Sequence, residues 1–256
     1  MFRTIRISIL LVILAYVAIG SWVTRARSTA WEEPLNVVIY PINADRGERT
    51  AVYIRSLNRE TFVPIEQFLK REARRYGVNV EAPVTMHVAK EVSAIPPPAP
   101  RSGNPLDAMY WSLQFRLWAW MHDDVDGVTP HVRLFVQFYD PYGEDIAGHS
   151  VGLQKGLIGL VQAMASHEDT ALNNMVIAHE MLHTVGASDK YDPDSNHPYF
   201  PDGYAEPKRV PVLPQKLAEI MGGRIPMTDR AALVAETLDI VLVGEKTARE
   251  INWLKN

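Results

Sequence analysis

Residues 170–192 read TALNNMVIAHEMLHTVGASDKYD. Good helix formers dominate the first half, and Asp169 or Thr170 is placed to cap the start. Within the run stands His179-Glu180-Met181-Leu182-His183. Positions i and i+4 lie on one face of a helix, so both imidazoles can reach a single metal ion. Glu180 lies beside the first imidazole, placed for a metal-bound water rather than for the metal. Gly186 follows three residues after His183, and Asp189 three after that. Glycine most readily takes the left-handed conformation that ends a helix, and a sharp turn there swings Asp189 back towards the histidines. Two imidazoles, one carboxylate and an open position is the donor set of a catalytic rather than a closed structural zinc site.

The string H-E-x-x-H-x-x-G-x-x-D, carried by His179, Glu180, His183, Gly186 and Asp189, resembles the metzincin zinc peptidases. It is most similar to their snapalysin-like branch, in which the third ligand is Asp. Metzincins carry a methionine-containing turn beneath the metal, and Ala218-Glu219-Ile220-Met221-Gly222-Gly223 is similar, with Met221 as the match. The resemblance spans about residues 131–240. It implies an α/β (α+β) fold: a mixed, zincin-like sheet, an active-site helix, a Met turn and C-terminal helices. It also implies one catalytic Zn2+ and a peptide or protein substrate, with Glu180 as general base. Candidates for a second oxyanion donor are Tyr191, His197, Tyr199 and Tyr204, by proximity alone.

Other third ligands compete with Asp189. Asp192 lies beyond the required offset, Glu206 sits in a Pro-, Gly- and Tyr-rich stretch unsuited to a helix, and Glu219 and His197 lie downstream. Asp192-Pro193-Asp194-Ser195-Asn196 imitates the first half of a calcium loop but lacks the glycine and glutamate an EF-hand requires. An irregular Ca2+ site is the weaker cofactor expectation.

Outside this segment, Leu35–Ile42 (LNVVIYPI) reads as a strand. Glu60–Tyr76 reads as a helix with Pro64 in its first turn and Gly77 at its end, and Asn79–Val88 as a strand. Ala94–Asn104 (AIPPPAPRSGN) is a Pro-rich break, and Pro105–Met121 beyond it reads as a buried helix. The 94–122 segment thus looks like a linker or insertion within a domain running from 31 to 256. His131–Tyr139 alternates as a strand, and residues 148–163 hold one or two more. Residues 229–241, after Thr228 as N-cap, have a helical apolar pattern, and Thr247–Leu254 reads as a short final helix.

The chain has 256 residues, 47% hydrophobic, 22% charged, with no cysteine. That excludes disulfide scaffolds, Cys-ligated metals and thiol nucleophiles. A net charge of −4 argues against a broad basic face and hence against nucleic acid as a partner. Residues 1–30 carry Arg3, Arg6, Arg25 and Arg27 and no acid, which leaves −8 on the remainder. Residues 7–23 form an uncharged apolar run, expected as one N-terminal hydrophobic helix. At 17 residues it is just long enough to span a bilayer. The expectation is a single-pass membrane anchor with an exported catalytic domain. The alternative is a secreted chain cleaved near Gly20.

Together these readings point to a membrane-tethered or secreted zinc-dependent endopeptidase. Two alternatives share the same residues: a non-proteolytic metal-binding or interaction module, and a zinc amidase acting on a cell-wall-type amide. The oligomeric state is left open.

Overall fold

A five-stranded sheet in the order β2-β1-β3-β5-β4 organises the chain. The computed structural model describes residues 29–100, 104–143, 151–153 and 157–255, with backbone only for 151–153. The strands are β1 (Leu35–Asn43), β2 (Val84–Val88), β3 (Val132–Tyr139), β4 (Val151–Leu153) and β5 (Ile158–Met164). β1 pairs in parallel with β2 and β3, and β3 with β5, whereas β4 runs antiparallel along β5 at the edge. Central parallel strands are covered on both faces, which is why β1 and β3 read as nearly continuous apolar runs.

One face is covered by α1 (Glu48–Ser56), α2 (Arg59–Arg75) and α4 (Thr170–Thr184). Ile65, Phe68 and Leu69 of α2 and Ile177, Ala178 and Met181 of α4 join Val37, Ile39, Leu134 and Val136 in the larger core. Asn58 caps α2 in a reciprocal box with Thr61. Pro64 therefore falls in the second turn of α2 rather than the first, because the helix begins at Arg59. Gly77 (φ 71°) ends the segment as expected.

The other face is covered by α3 (Pro105–Met121). Trp111, Phe115 and Ala119 pack on Val38, Tyr40 and Phe135, and the Tyr40 and Phe135 rings stack 4.7 Å apart. Tyr40 donates to Asp123, which Arg133 also holds at 2.7 Å. The expectation of a buried helix is corrected here. Only that stripe of α3 is covered, while Leu113, Leu117 and Trp120 are more than half exposed.

The C-terminal part corrects a second expectation. Residues 229–241 are not a helix: they contain β8 (Ala232–Val234), a 3-10 turn (Leu238–Ile240) and the start of β9 (Val241–Leu242). The Thr228 hydroxyl accepts from the backbone N–H groups of Arg230 and Ala231, closing a tight turn instead of starting a helix. That turn lets β8 fold back antiparallel on β7 (Arg224–Pro226). β6 (Ala218–Glu219) pairs with β9, and one short helix, α5 (Glu245–Glu250), follows. The expected C-terminal helices are thus a single short one.

The membrane placement is also corrected. Among the described residues no helix is long and apolar enough to cross a membrane. The expected N-terminal hydrophobic helix (residues 7–23) and the cleavage position near Gly20 lie outside the described residues.

Candidate metal centre

α4 is held before it carries any chemistry. Asn173 grips β5 through both ends of its amide, accepting from Met164 N at 3.0 Å and donating to Met164 O at 2.8 Å. Asn174 donates to Thr61 O of α2. Asp169 is the N-cap residue, but its side chain makes no capping hydrogen bond. At the other end Gly186 takes φ 117°, and Ala187 N donates back to Leu182 O. That reversal brings residue 189 over the last turn of the helix.

The result is a convergence of three ligand-type atoms. His179 Nε2 and His183 Nε2 are 3.1 Å apart. Asp189 Oδ1 lies 3.2 Å from the first and 3.1 Å from the second. His179, Glu180 and His183 also offer ligand-type atoms all within 4.8 Å of one another. Asp189 is the more exposed member, whereas His179 and Glu180 are buried.

Whether a metal fits can be judged from the other ring nitrogens. His179 Nδ1 meets Ile220 O at 2.9 Å, and His183 Nδ1 meets Ala187 O at 2.8 Å. A carbonyl only accepts, so each Nδ1 carries a proton, and in the neutral ring each Nε2 presents a lone pair to the shared point. Tetrahedral zinc with bonds of about 2.0–2.1 Å needs ligand atoms about 3.3 Å apart. The observed spacings fit that requirement closely. Glu180, buried, lies beside the site and lines the same cavity as His179.

The electrostatics agree with a cationic occupant. Burial opposes charging of His179, but Asp189, the Glu180 charge and the Ile220 carbonyl outweigh it and raise the group to about 9. Burial likewise opposes ionisation of Asp189, yet the two imidazoles hold its carboxyl well below the usual carboxylate range. The carboxylates thus draw positive charge to His179, where a proton and a metal ion compete for the same Nε2 lone pair. Burial, Asp189 and Glu180 together push the Tyr191 phenol up to about 12, so it stays protonated and hydrogen-bonds Asp189.

The four candidate oxyanion donors separate here. Tyr191 lines a cavity of about 220 Å³ together with His179 and Glu180. His197 is spent on carbonyls, with Nδ1 at Pro198 O and Nε2 at Thr228 O. Tyr199 is exposed, and Tyr204 packs against Phe200 on the wall of a different cavity. Of the rival third ligands, Glu219 is buried in the turn below and Glu206 lines the cavity of Tyr204. Asp192 Oδ1 accepts from Asp194 N, Ser195 N and Ser195 Oγ, so the calcium-like loop satisfies its own first carboxylate.

Against His179 lies the turn 219–223, whose Ile220 O meets the ring Nδ1. Met221 is fully buried between Ile220, whose carbonyl orients His179, and Gly222. Glu219 holds the turn from inside: Oε2 accepts from Met221 N and Gly222 N, and Oε1 from Gly244 N and Thr247 Oγ1. Lys190, 3% exposed, donates its backbone N–H to Met221 O and its ammonium to Ser188 O and Glu250. Sequence reading missed both roles. A lone charged side chain carries no signal of burial in the sequence, and only the fold shows what surrounds it. It also missed Arg224, which lines the same cavity as His179 with the apolar Leu172, Met175, Val176 and Val234.

Three backbones stack tightly here. A Cβ on Gly203 would meet Lys190 O at 2.2 Å, and one on Gly222 would meet Gly203 O at 2.6 Å. Gly203→Ala must therefore displace the segment that carries Asp189 and Lys190. We expect a loss of about 1–3 kcal/mol by denaturant unfolding, together with weakened zinc binding in a competition titration. An unchanged midpoint and affinity would show that the stack is loose.

No family model matches the chain, and no curated protein matches it in sequence.

Proposed function

We propose that this protein is a zinc-dependent endopeptidase of metzincin type, with His179, His183 and Asp189 as metal ligands and Glu180 as general base. The observation that carries the reading is the 3.1–3.2 Å convergence of two Nε2 atoms and one carboxylate oxygen, with Glu180 buried beside it. The buried Met221, next in sequence to the carbonyl that meets His179, and the antiparallel edge strand β4 beside the parallel sheet support it further. An edge strand leaves main-chain groups free on its outer side, and an extended peptide can pair there.

Zinc held by these residues would supply Lewis acidity to a water and to the scissile carbonyl. The protein supplies the rest. The Glu180 carboxylate accepts the proton of the attacking water and delivers it to the leaving amine nitrogen. Ile220 O and Ala187 O keep the imidazoles in the ligand tautomer. The protonated Tyr191 hydroxyl is a donor at the rim, able to meet charge developing on the carbonyl oxygen.

The test is incubation of the zinc-loaded full chain with a diverse peptide mixture, beside Glu180→Ala, with new termini read by mass spectrometry. Cuts made by the wild type, lost on chelation and absent from the variant are expected. Equal patterns from both proteins, with zinc bound in both, would refute peptidase activity.

A further inference from the structure

The opposite side of the molecule carries a second feature, independent of the metal centre. α3 has two apolar stripes. Trp111, Phe115 and Ala119 face the sheet. Leu106, Met109, Tyr110, Leu113, Leu117, Trp120 and Met121 face outward, each 57–76% exposed. Seven large side chains at that exposure present on the order of 900 Å² of mostly apolar surface, given the size of such groups. Monomeric proteins usually show patches of about 300–600 Å² at most, and a stable interface buries about 800 Å² on each partner. The patch is therefore interface-sized.

Its spacing indicates what covers it. Leu106, Tyr110, Leu113, Leu117 and Trp120 follow one another at intervals of four, three, four and three. That is the repeat of a helix–helix seam, in which side chains of one helix fit between those of another. A helix lying on a bilayer surface instead needs a polar face rich in Lys and Arg. The 17 residues of α3 contain one cation, Arg116, and one acid, Asp107.

We propose that α3 is a self-association surface, and that two copies of this chain pair through antiparallel α3 helices about a two-fold axis at Leu113. In that arrangement Leu113 meets its own equivalent, Leu106 of one copy meets Trp120 of the other, and Leu117 meets Met109 with Tyr110 beside it. Arg116 falls opposite Tyr110, so no like charges are opposed. The buried stripe lies on the far side of the helix, so the two bodies sit back to back. Both metal centres belong to elements on the other face of the sheet and remain open.

The cysteine-free sequence makes a direct test available. Leu113→Cys in the full chain is oxidised beside Arg55→Cys, an exposed control on α1. We expect the Leu113→Cys chain to cross-link at least tenfold faster, giving a species of twice the 28.8 kDa chain mass. Leu113→Glu with Leu117→Glu should shift the sedimentation coefficient from dimer to monomer and leave the far-ultraviolet circular dichroism unchanged, because both side chains are exposed in the single folded chain. Equal cross-linking rates for the two cysteine variants would overturn the proposal. So would a monomeric wild type that floats with liposomes only when the stripe is intact, since lipid would then be the occupant.

Discussion

Glu180→Gln is expected to bind zinc as the wild type does and to lose peptide hydrolysis by about 10²–10⁴-fold, the usual contribution of a positioned general base. The argument rests on separation of roles. His179, His183 and Asp189 supply the three atoms that meet at 3.1–3.2 Å. Glu180 is buried beside them but is not needed to complete a three-ligand set. Glutamine keeps its size and its hydrogen-bonding reach, so the site should not collapse. What it lacks is a basic oxygen to accept the proton of water. His183→Ala is the complementary variant and should lose the metal itself. The check is metal content by mass spectrometry alongside kcat/KM on a substrate found by the peptide screen. If Glu180→Gln lost zinc as completely as His183→Ala, Glu180 would be a ligand and the assignment of the base would fall.

The second large effect is expected at Glu219, which never touches the metal. Glu219→Ala removes four hydrogen bonds at once. It leaves Met221 N, Gly222 N, Gly244 N and Thr247 Oγ1 without their acceptor in a buried space. A buried donor stranded in this way costs about 1–3 kcal/mol, and neighbouring losses are not additive. We expect about 3–5 kcal/mol in total, the range for breaking a buried charged network. Zinc affinity should fall as well, because the same turn presents Ile220 O to His179. Denaturant unfolding with and without zinc measures both effects. A loss below about 1 kcal/mol would mean that the turn is held by its packing alone.

The candidate centre was legible because its information is local. The spacing of His179, Glu180 and His183 is set by one helical turn, and Gly186 and Asp189 follow within six residues of the last histidine. The main strands were legible for a similar reason: β1 and β3 are buried on both sides and must be apolar throughout. The failures share the opposite cause. Residues 229–241 have a helical apolar pattern, but Thr228 closes a turn and β7 offers a partner strand, and tertiary pairing wins over weak local propensity. α1 was missed because its short sequence, ERTAVYIRS, buries only Thr50, Tyr53 and Ile54. α3 was read as buried because its apolar content is high on two sides, and periodicity cannot tell a core face from an interface. Glu219 reaches Gly244 N and Thr247 Oγ1, and Lys190 reaches Met221 O and Glu250, all distant in sequence, and no local pattern records such partners.

The most direct test of the central claim is a crystal structure of the zinc-loaded chain with anomalous data collected on either side of the zinc edge. A single strong peak about 2.0–2.1 Å from His179 Nε2, His183 Nε2 and Asp189 Oδ1, with Glu180 outside the coordination sphere, is predicted. No peak among these atoms, or one held by other residues, would contradict it.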